Sequence, residues 1–373
     1  MVDFTVAICT YNGEARLPEV LEKLRKCIKY TTVQKQNISW EIIVIDNKSN
    51  DNTAKIIREY QSNWYQDYPI KYYFEPRQGL AFARKCAMQK AESELIGFLD
   101  DDNLPFPDWV TAAYTFGKSH PKVGAYVGQS HGKFEVTPPL GFERVASFFA
   151  LRKAETAFCY NHKYKSAHQR VYPAGAGIVI RKQAWLESVP ETVTLPQTGE
   201  DVEMLSHIRN NDWEIWFIPE MEIEHKIYKY RLEKDYLIRF FRSIGLTRYQ
   251  TRMLNYPQWQ KPLVTPFYLM NDLKKFIVHL IKYRLTLKSD IIAAGELKFL
   301  LASFYSPIHN CCQYLKNPRK NILKFPLSVF CTKFGKEAGN RGDNPGSQLE
   351  AGRNKPLTKE QQIVYFGEGI KPR

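Results

Sequence analysis

No Cys-x-x-Cys occurs in this sequence, and its seven cysteines (Cys9, Cys27, Cys86, Cys159, Cys311, Cys312 and Cys331) are scattered and odd in number. That pattern argues against a disulfide framework or a zinc site and for a reducing compartment. There is no run of about 18 uncharged apolar residues, which argues against a helix that crosses a bilayer. The first residues pass almost at once into a strand-like run, Val2-Asp3-Phe4-Thr5-Val6-Ala7-Ile8-Cys9, without the basic and apolar regions of a secretory leader. A cytoplasmic location is therefore expected, with the inner face of the cytoplasmic membrane as the other option. No Gly-x-Gly-x-x-Gly follows that run and no Walker lysine loop occurs, so any bound phosphate does not rest mainly on a glycine-rich loop. No internal repeat is visible.

What is there is a globular composition. The 373 residues, 44% apolar and 14% aromatic, suffice for one large or two ordinary domains with a substantial core. The formal net charge of +14 is unevenly spread: residues 1–228 hold 27 Lys and Arg against 29 Asp and Glu, whereas residues 229–373 hold 26 against 10, a net of +16. The basic part points to an anionic surface, lipid headgroups or nucleic acid, as partner.

Hydrophobic periodicity orders the first half. The strand at residues 2–9 ends in Thr10-Tyr11-Asn12-Gly13, and a helix follows from about Pro18 with Val20, Leu21, Leu24 and Ile28 at helical spacing. Trp40-Glu41-Ile42-Ile43-Val44-Ile45 reads as a central parallel strand ending at Asp46-Asn47. Asp51-Asn52-Thr53 looks like the cap of a helix bearing Ile56, Ile57 and Tyr60. Ile70–Phe74 is a third strand, Gly79 to about Glu94 a helix, and Leu95-Ile96-Gly97-Phe98-Leu99 a fourth strand. This alternation implies a parallel sheet with right-handed crossovers. Further on, the expected elements are a helix over 105–120, strands over 123–128, 178–180 and 213–219, and a helix opening at Gly199-Glu200-Asp201. From about 230 the pattern is helical, basic and aromatic. Residues 338–373, rich in Gly, Asn, Pro and charge, read as a disordered tail.

Asp100-Asp101-Asp102 follows the fourth strand directly. Three adjacent carboxylates repel one another unless a cation or solvent compensates, and open α/β sheets bind ligands at the carboxyl ends of their strands. A hard divalent cation commonly bridges one or two carboxylates to substrate phosphates, so a carboxylate-held metal would do the work of the missing glycine-rich loop. Asp46 ends the second strand, where such domains place an acid for a ribose or base. Glu200-Asp201 sits at a helix start, where the dipole favours ionised carboxylates.

Five stretches in order resemble the family 2 glycosyltransferases of the GT-A fold. They are Val6–Asn12, Glu41–Thr53, Gly79-Leu80-Ala81-Phe82-Ala83-Arg84, Phe98–Asn103 and Gly199-Glu200-Asp201, and the resemblance covers about residues 3–230. The chain also resembles the branch of that family found in bacterial, notably cyanobacterial, exopolysaccharide loci. The resemblance implies a GT-A nucleotide-diphospho-sugar transferase domain over 1–230, with a mostly parallel central sheet and flanking helices. A helical basic extension over 231–337 and the tail complete the chain. It implies inverting transfer of a sugar from a nucleotide diphosphate donor to a saccharide or lipid-linked acceptor, in extracellular polysaccharide biosynthesis, with Mg2+ or Mn2+. By the same resemblance Thr10, Tyr11, Asn12 and Asp46 meet the nucleoside, and Arg84 lies near the donor phosphates or the triad. Asp102 is the metal ligand, Asp100 aids the metal or ribose, and Asp101 belongs to the donor site. Asp201 is the base, with Glu200 beside it. His225 stands where GT-A enzymes supply a third metal ligand or a phosphate contact. The family usually has Asn after the arginine; this chain has Lys85, which receives no role.

The chemistry agrees with those roles. Expelling a nucleoside diphosphate loads negative charge on the β-phosphate, which a divalent cation stabilises. The acceptor hydroxyl needs a carboxylate to take its proton. Three rival readings compete. A catalytically inactive nucleotide-sugar-binding regulatory protein conflicts with the intact triad and Glu200-Asp201. A nucleic-acid-binding protein lacks a recognition motif. A processive synthase would carry Gln-x-x-Arg-Trp, where this chain has Arg239-Phe240-Phe241-Arg242. In the basic region, Phe267, Tyr268, Leu269, Phe276, Ile277, Leu280, Ile281 and Tyr283 interleave with Lys274, Lys275, Lys282 and Arg284. Such a stripe suits either packing on the core with a solvated basic face or peripheral contact with an anionic membrane.

Overall fold

Phe4–Thr10 and Trp40–Asp46 are unbroken runs of mostly β-branched and aromatic residues, and every residue in both is buried, as central strands covered on both faces require. They form β1 and β2 of a computed structural model that describes residues 2–160, 172–191 and 199–316. Between them runs α1 (Leu17–Val33), which begins with Pro at its first turn and buries Leu17, Val20, Leu21, Leu24 and Ile28 on one face. Next come α2 (Thr53–Ser62), β3 (Ile70–Phe74), α3 (Leu80–Lys90) and β4 (Leu95–Asp100). The sheet order β3-β2-β1-β4 is parallel throughout. Its register matters for function: Thr10 pairs with Asp46, and Cys9 with Asp100. The polar ends of three strands therefore lie in one row.

Beyond β4 the sheet becomes mixed. The elements are β5 (Asn103–Pro105), α4 (Trp109–Ser119), β6 (Val123–Phe134), β7 (Phe158–Cys159), β8 (Val179–Arg181), α5 (Lys182–Ser188), α6 (Glu200–Asn210) and β9 (Glu214–Ile227). The nine-stranded order continues from β4 through β8, β6 and β9 to β5, with β8 antiparallel to both neighbours and β5 antiparallel to β9. The parallel sheet expected from the alternating pattern thus ends at β4. Two apolar cores lie on its faces. One is built on α1 and α4 against Phe4, Val6, Ile8, Ile42 and Val44; the other is built on α3 and α6 against Ala7, Ile43, Ile45 and Phe98.

The expected boundary at 230 cuts a third core. Phe142, Phe148 and Phe149 pack with Ile227 and with Leu237, Phe240, Phe241 and Ile244 of α7 (Lys234–Met253). Two more helices follow, α8 (Lys261–Tyr283) and α9 (Ile291–Lys316). Against the sequence expectation, α9 is long and apolar enough over Ile291–Cys312 to cross a membrane, by length and composition only. Its two charges, Glu296 and Lys298, break the uncharged run without lowering the mean hydropathy of 1.3 enough to exclude it. The tail at 338–373 and Cys331 lie outside the described residues.

Candidate active site

The ends of β1, β2 and β4 bring the sequence-predicted residues together. Thr10 Oγ1 donates to Asp101 Oδ2 at 2.5 Å. Asn12, held at φ +51, accepts from the Asn50 amide and donates its own amide to Ser49 Oγ. Asp46 is buried, and both of its oxygens are fixed, Oδ1 by the Ser49 amide and Oδ2 by the Tyr72 hydroxyl, each at 2.8 Å. Tyr11 is half-buried beside them, and its carbonyl accepts from Arg16. Arg16 also grips Asp101, Nε to Oδ1 at 3.0 Å and Nη2 to Oδ2 at 3.2 Å. Sequence reasoning missed Arg16 and Tyr72, since neither stands in a motif.

Asp102 is met by β5 and β9, at the far end of the sheet order from β3. Asn103 heads β5 and pairs with His225 of β9, and the Lys226 amide donates to the Asp102 carbonyl at 2.9 Å. This register puts His225 Nε2 3.4 Å from Asp102 Oδ2, with the histidine fully buried. His225 Nδ1 lies 2.9 Å from the Phe149 carbonyl, which can only accept, so Nδ1 carries a proton. Nε2 faces Arg231 Nη1 at 3.1 Å. Arg231 Nη1 is also 3.2 Å from Asp102 Oδ2. Arg231 is completely buried and lies one residue past the expected boundary at 230, so residues 1–230 do not hold every side chain packed against Asp102.

One carboxylate oxygen and one imidazole nitrogen, the latter oriented by a backbone carbonyl, are the right chemistry for a divalent cation. Among the described residues, however, no three His, Cys, Asp or Glu side chains gather to hold a metal by themselves. Asp100 thus does not complete a set with Asp102 and His225, and a cation here would take its remaining ligands from water or phosphate oxygens. Asp100 is held by its amide, which donates to Asn103 Oδ1, while Asn103 Nδ2 donates to Asp102 Oδ1.

The second carboxylate pair arrives on α6. Gly199, at φ +90, adopts the left-handed conformation that turns the chain into this helix. Asp201 Oδ1 forms a close ion pair with Arg84 of α3, and Oδ2 accepts from the Gly175 amide at 3.0 Å. A side chain at 175 would come within 2.4 Å of Asp201 Oδ2, so a glycine is required for that approach. Arg84 is held charged: burial opposes its charge, but the neighbouring acids, Asp201 foremost, outweigh it. Lys85 points away from all of this and donates to the Glu191 carbonyl.

Glu200 behaves differently from the sequence expectation of an ionised carboxylate. Neither of its oxygens has a hydrogen bond among the described residues, and Arg84 Nη1 is 3.6 Å away. Burial, then the charge of Asp201, pushes its carboxyl up to about 8, with Arg84 opposing. Here desolvation outweighs the helix dipole. The unfolded chain releases this proton near the ordinary value of about 4.3, whereas the folded protein holds it. This group's contribution to stability is therefore lost as pH rises from about 4.3 to about 8. Glu200→Gln should flatten that dependence and gain on the order of a few kcal/mol relative to wild type at pH 8. Thermal unfolding at pH 5, 6.5 and 8 checks it; parallel curves for the two proteins would refute the shift.

Residues 5–184 match the family model described as Glycosyl transferase family 2. The chain is 26% identical over 106 residues to the succinoglycan biosynthesis protein ExoM of Rhizobium meliloti (strain 1021), covering 28% of this chain and 32% of that protein. It is 30% identical over 139 residues to the glycosyltransferase AglE of Haloferax volcanii, covering 36% of this chain and 43% of that protein. The chain thus spans about a third of the length of the curated relatives it matches. Among solved structures, the mannosyltransferase PcManGT from Pyrobaculum calidifontis, in complex with GDP-Man and Mn2+, aligns with a TM-score of 0.50 at 17% identity. The alignment covers 82% of this chain and 87% of that chain. The fold is GT-A, with a helical C-terminal region.

Proposed function

The chain belongs to glycosyl transferase family 2 through residues 5–184, and from that premise we propose that it is a metal-dependent, inverting glycosyltransferase using a nucleotide-diphosphate sugar. The observation that carries this reading is the meeting of Asp201 and Glu200, on α6, with Arg84 and the end of β4, a meeting of carboxylates about a hundred residues apart in sequence. The family match ends before α6, so the base rests on this geometry and on the Glu200-Asp201 motif.

In this mechanism the row formed by Thr10, Tyr11, Asn12 and Asp46 receives the nucleoside. Asp46, with its oxygens already oriented by Tyr72 and Ser49, is poised to accept from ribose or base. Asp100 and Asp101 border the donor diphosphate. Asp102 and His225 would hold Mg2+ or Mn2+, which when bound supplies Lewis-acid stabilisation of the charge that grows on the leaving diphosphate. Asp201, as base, takes the proton of the acceptor hydroxyl. Arg84, in a close ion pair with Asp201, fixes the direction of that carboxylate, while Glu200, holding its proton at neutral pH, adds no second negative charge. Attack opposite the leaving group inverts the anomeric centre with no covalent enzyme intermediate. The acceptor is a saccharide or a lipid-linked saccharide in extracellular polysaccharide assembly, a reading in keeping with a relative named for succinoglycan biosynthesis. A lipid-linked acceptor would keep the enzyme at a membrane surface.

A thermal-shift panel of nucleotide sugars with and without Mn2+ tests the proposal. The matching donor at about 100 times its Kd should stabilise the protein by roughly 2.7 kcal/mol, a rise of about 3–4 °C, and only with the cation. If no nucleotide sugar shifts the transition, the reading fails. Donor binding without hydrolysis or transfer to any saccharide would instead support the inactive regulatory alternative.

A further inference from the structure

Helix α8 is built inside out. Its buried residues are Lys261, Asp272 and His279, while Leu263, Phe267, Met270, Ile277 and Ile281 are exposed. Two of the three buried polar side chains anchor the helix. Asp272 takes both Arg252 Nη1 and Nη2, at 2.7 and 2.8 Å, and the Ser303 hydroxyl at 2.7 Å; His279 Nε2 donates to the Ala293 carbonyl at 2.9 Å. These bonds pin α8 to α7 and α9 by its polar face and leave the helix no freedom to roll its apolar face inward.

The outward face is continuous. Leu263, Phe267, Met270, Ile277 and Ile281, spaced at three, four and seven residues, expose 47–71% of their surface. Trp259 precedes them at 67% and Leu285 follows at 87%. At 1.5 Å per residue the 23-residue helix lays down a strip about 35 Å long. A soluble helix normally turns such a stripe to its core, and an apolar surface of this extent marks an interaction site. The stripe read from the sequence is redistributed: Phe267, Ile277 and Ile281 are exposed, but Tyr268, Leu269, Phe276, Leu280 and Tyr283 are half-buried.

Charge selects the occupant. Lys274, Lys275 and Lys282 on α8 and Arg284 and Lys288 after it are all exposed, and the helix's one acid, Asp272, is buried in its ion pair. The outer surface of α8 is therefore apolar and cationic, with no carboxylate. Pairing two copies through the same patch would bring these lysines together, within segments that each carry a net charge of +16. An interface between hydrocarbon and anionic headgroups satisfies both properties at once. We propose that α8 lies in the headgroup region of an anionic bilayer, with Phe267, Met270 and Ile281 inserted toward the acyl chains and the lysines at the phosphates. This deepens the membrane contact suggested by a lipid-linked acceptor, but it rests on exposure and charge and stands without the transfer reaction.

The test uses the full chain and vesicles of phosphatidylcholine, with and without 30% phosphatidylglycerol. The wild type should float with the anionic vesicles and much less with the neutral ones. Phe267→Ser/Met270→Ser/Ile281→Ser should lower the partition coefficient at least tenfold at any salt. Lys274→Gln/Lys275→Gln/Lys282→Gln should lower it at low salt and remove most of its salt dependence. Both variants should keep the wild-type circular dichroism, because the altered side chains are exposed, and the wild-type response to the donor in solution. A wild type that does not float, or an apolar triple variant that floats as well as the wild type, overturns the proposal. So does a lipid-free dimer of the wild type that the apolar triple variant abolishes, which would assign the face to a second copy. Donor binding, measured separately without lipid, tells failure of this surface from failure of the transferase reading.

Discussion

Asp201→Asn should lower sugar transfer by about 10²–10⁴-fold, the usual worth of a general base, with donor affinity within a few-fold of wild type. Its carboxylate is fixed at both oxygens, by Arg84 and by the Gly175 amide. An asparagine can present its one oxygen to only one of these two donors, and its NH2 faces the other. The variant therefore also loses about 1–3 kcal/mol of stability from the unmatched buried donor, which thermal unfolding reads separately from turnover. The pH profile discriminates the two acids of the motif. Glu200, pushed up to about 8, holds its proton at neutral pH and could act as a base only as pH climbs toward that value. Activity in Asp201→Asn that rises through pH 8 would move the base to Glu200. Unchanged transfer at pH 7 would remove the base from this helix altogether.

The parts of this molecule that follow simple rules were legible. β1, β2 and β4 are buried along their whole lengths, so their apolar runs announce central strands, and the polar residue ending each run announces the functional edge. Thr10, Asp46 and Asp100 come into one row because the register of a parallel sheet aligns strand ends. The second half was legible in outline only. The apolar run over 213–219 marks only the first part of a strand: β9 runs from Glu214 through Pro219 on to Ile227, although proline usually interrupts a ladder. A register shift between Val127 and Gln129 of β6 absorbs the interruption, and Gly128 permits it, because a side chain there would overlap the Met221 carbonyl. That continuation carries His225 to Asn103 and hence to Asp102. Arg16 and Arg231 carried no signal: a lone arginine near a helix start, or after a strand in a basic segment, reads as solvated charge. Only the three-dimensional closure shows them neutralising Asp101 and Asp102. The inversion of α8 was equally hidden, because a stripe of apolar residues states a period but not which side faces the core.

Removing the charge of Asp102 should have the other large effect. Asp102→Asn should eliminate Mn2+-dependent stabilisation by nucleoside diphosphate and cut transfer by on the order of 10³-fold or more, since Lewis-acid stabilisation of the leaving charge is worth several kcal/mol. Arg231 is the informative control. Its Nη1 reaches the same Asp102 oxygen and the same His225 nitrogen that would serve a cation, at 3.2 and 3.1 Å. Arginine and a metal bound there would therefore compete for one pair of atoms. Without metal, Arg231→Met should lose about 3–5 kcal/mol of stability, because a buried ion pair is broken on one side and Asp102 loses the guanidinium that faces it. Mn2+ alone should restore more of that loss than it adds to wild type, because the competing cation is gone. The two variants thus move metal affinity in opposite directions, as Mn2+ titrations followed by thermal unfolding would record. The metal assignment to Asp102 fails if the wild type turns over at full rate in EDTA, or if Asp102→Asn keeps the Mn2+ response. Arg231→Met with the metal response of wild type would leave Asp102 as a ligand but place the cation away from the oxygen that Arg231 holds.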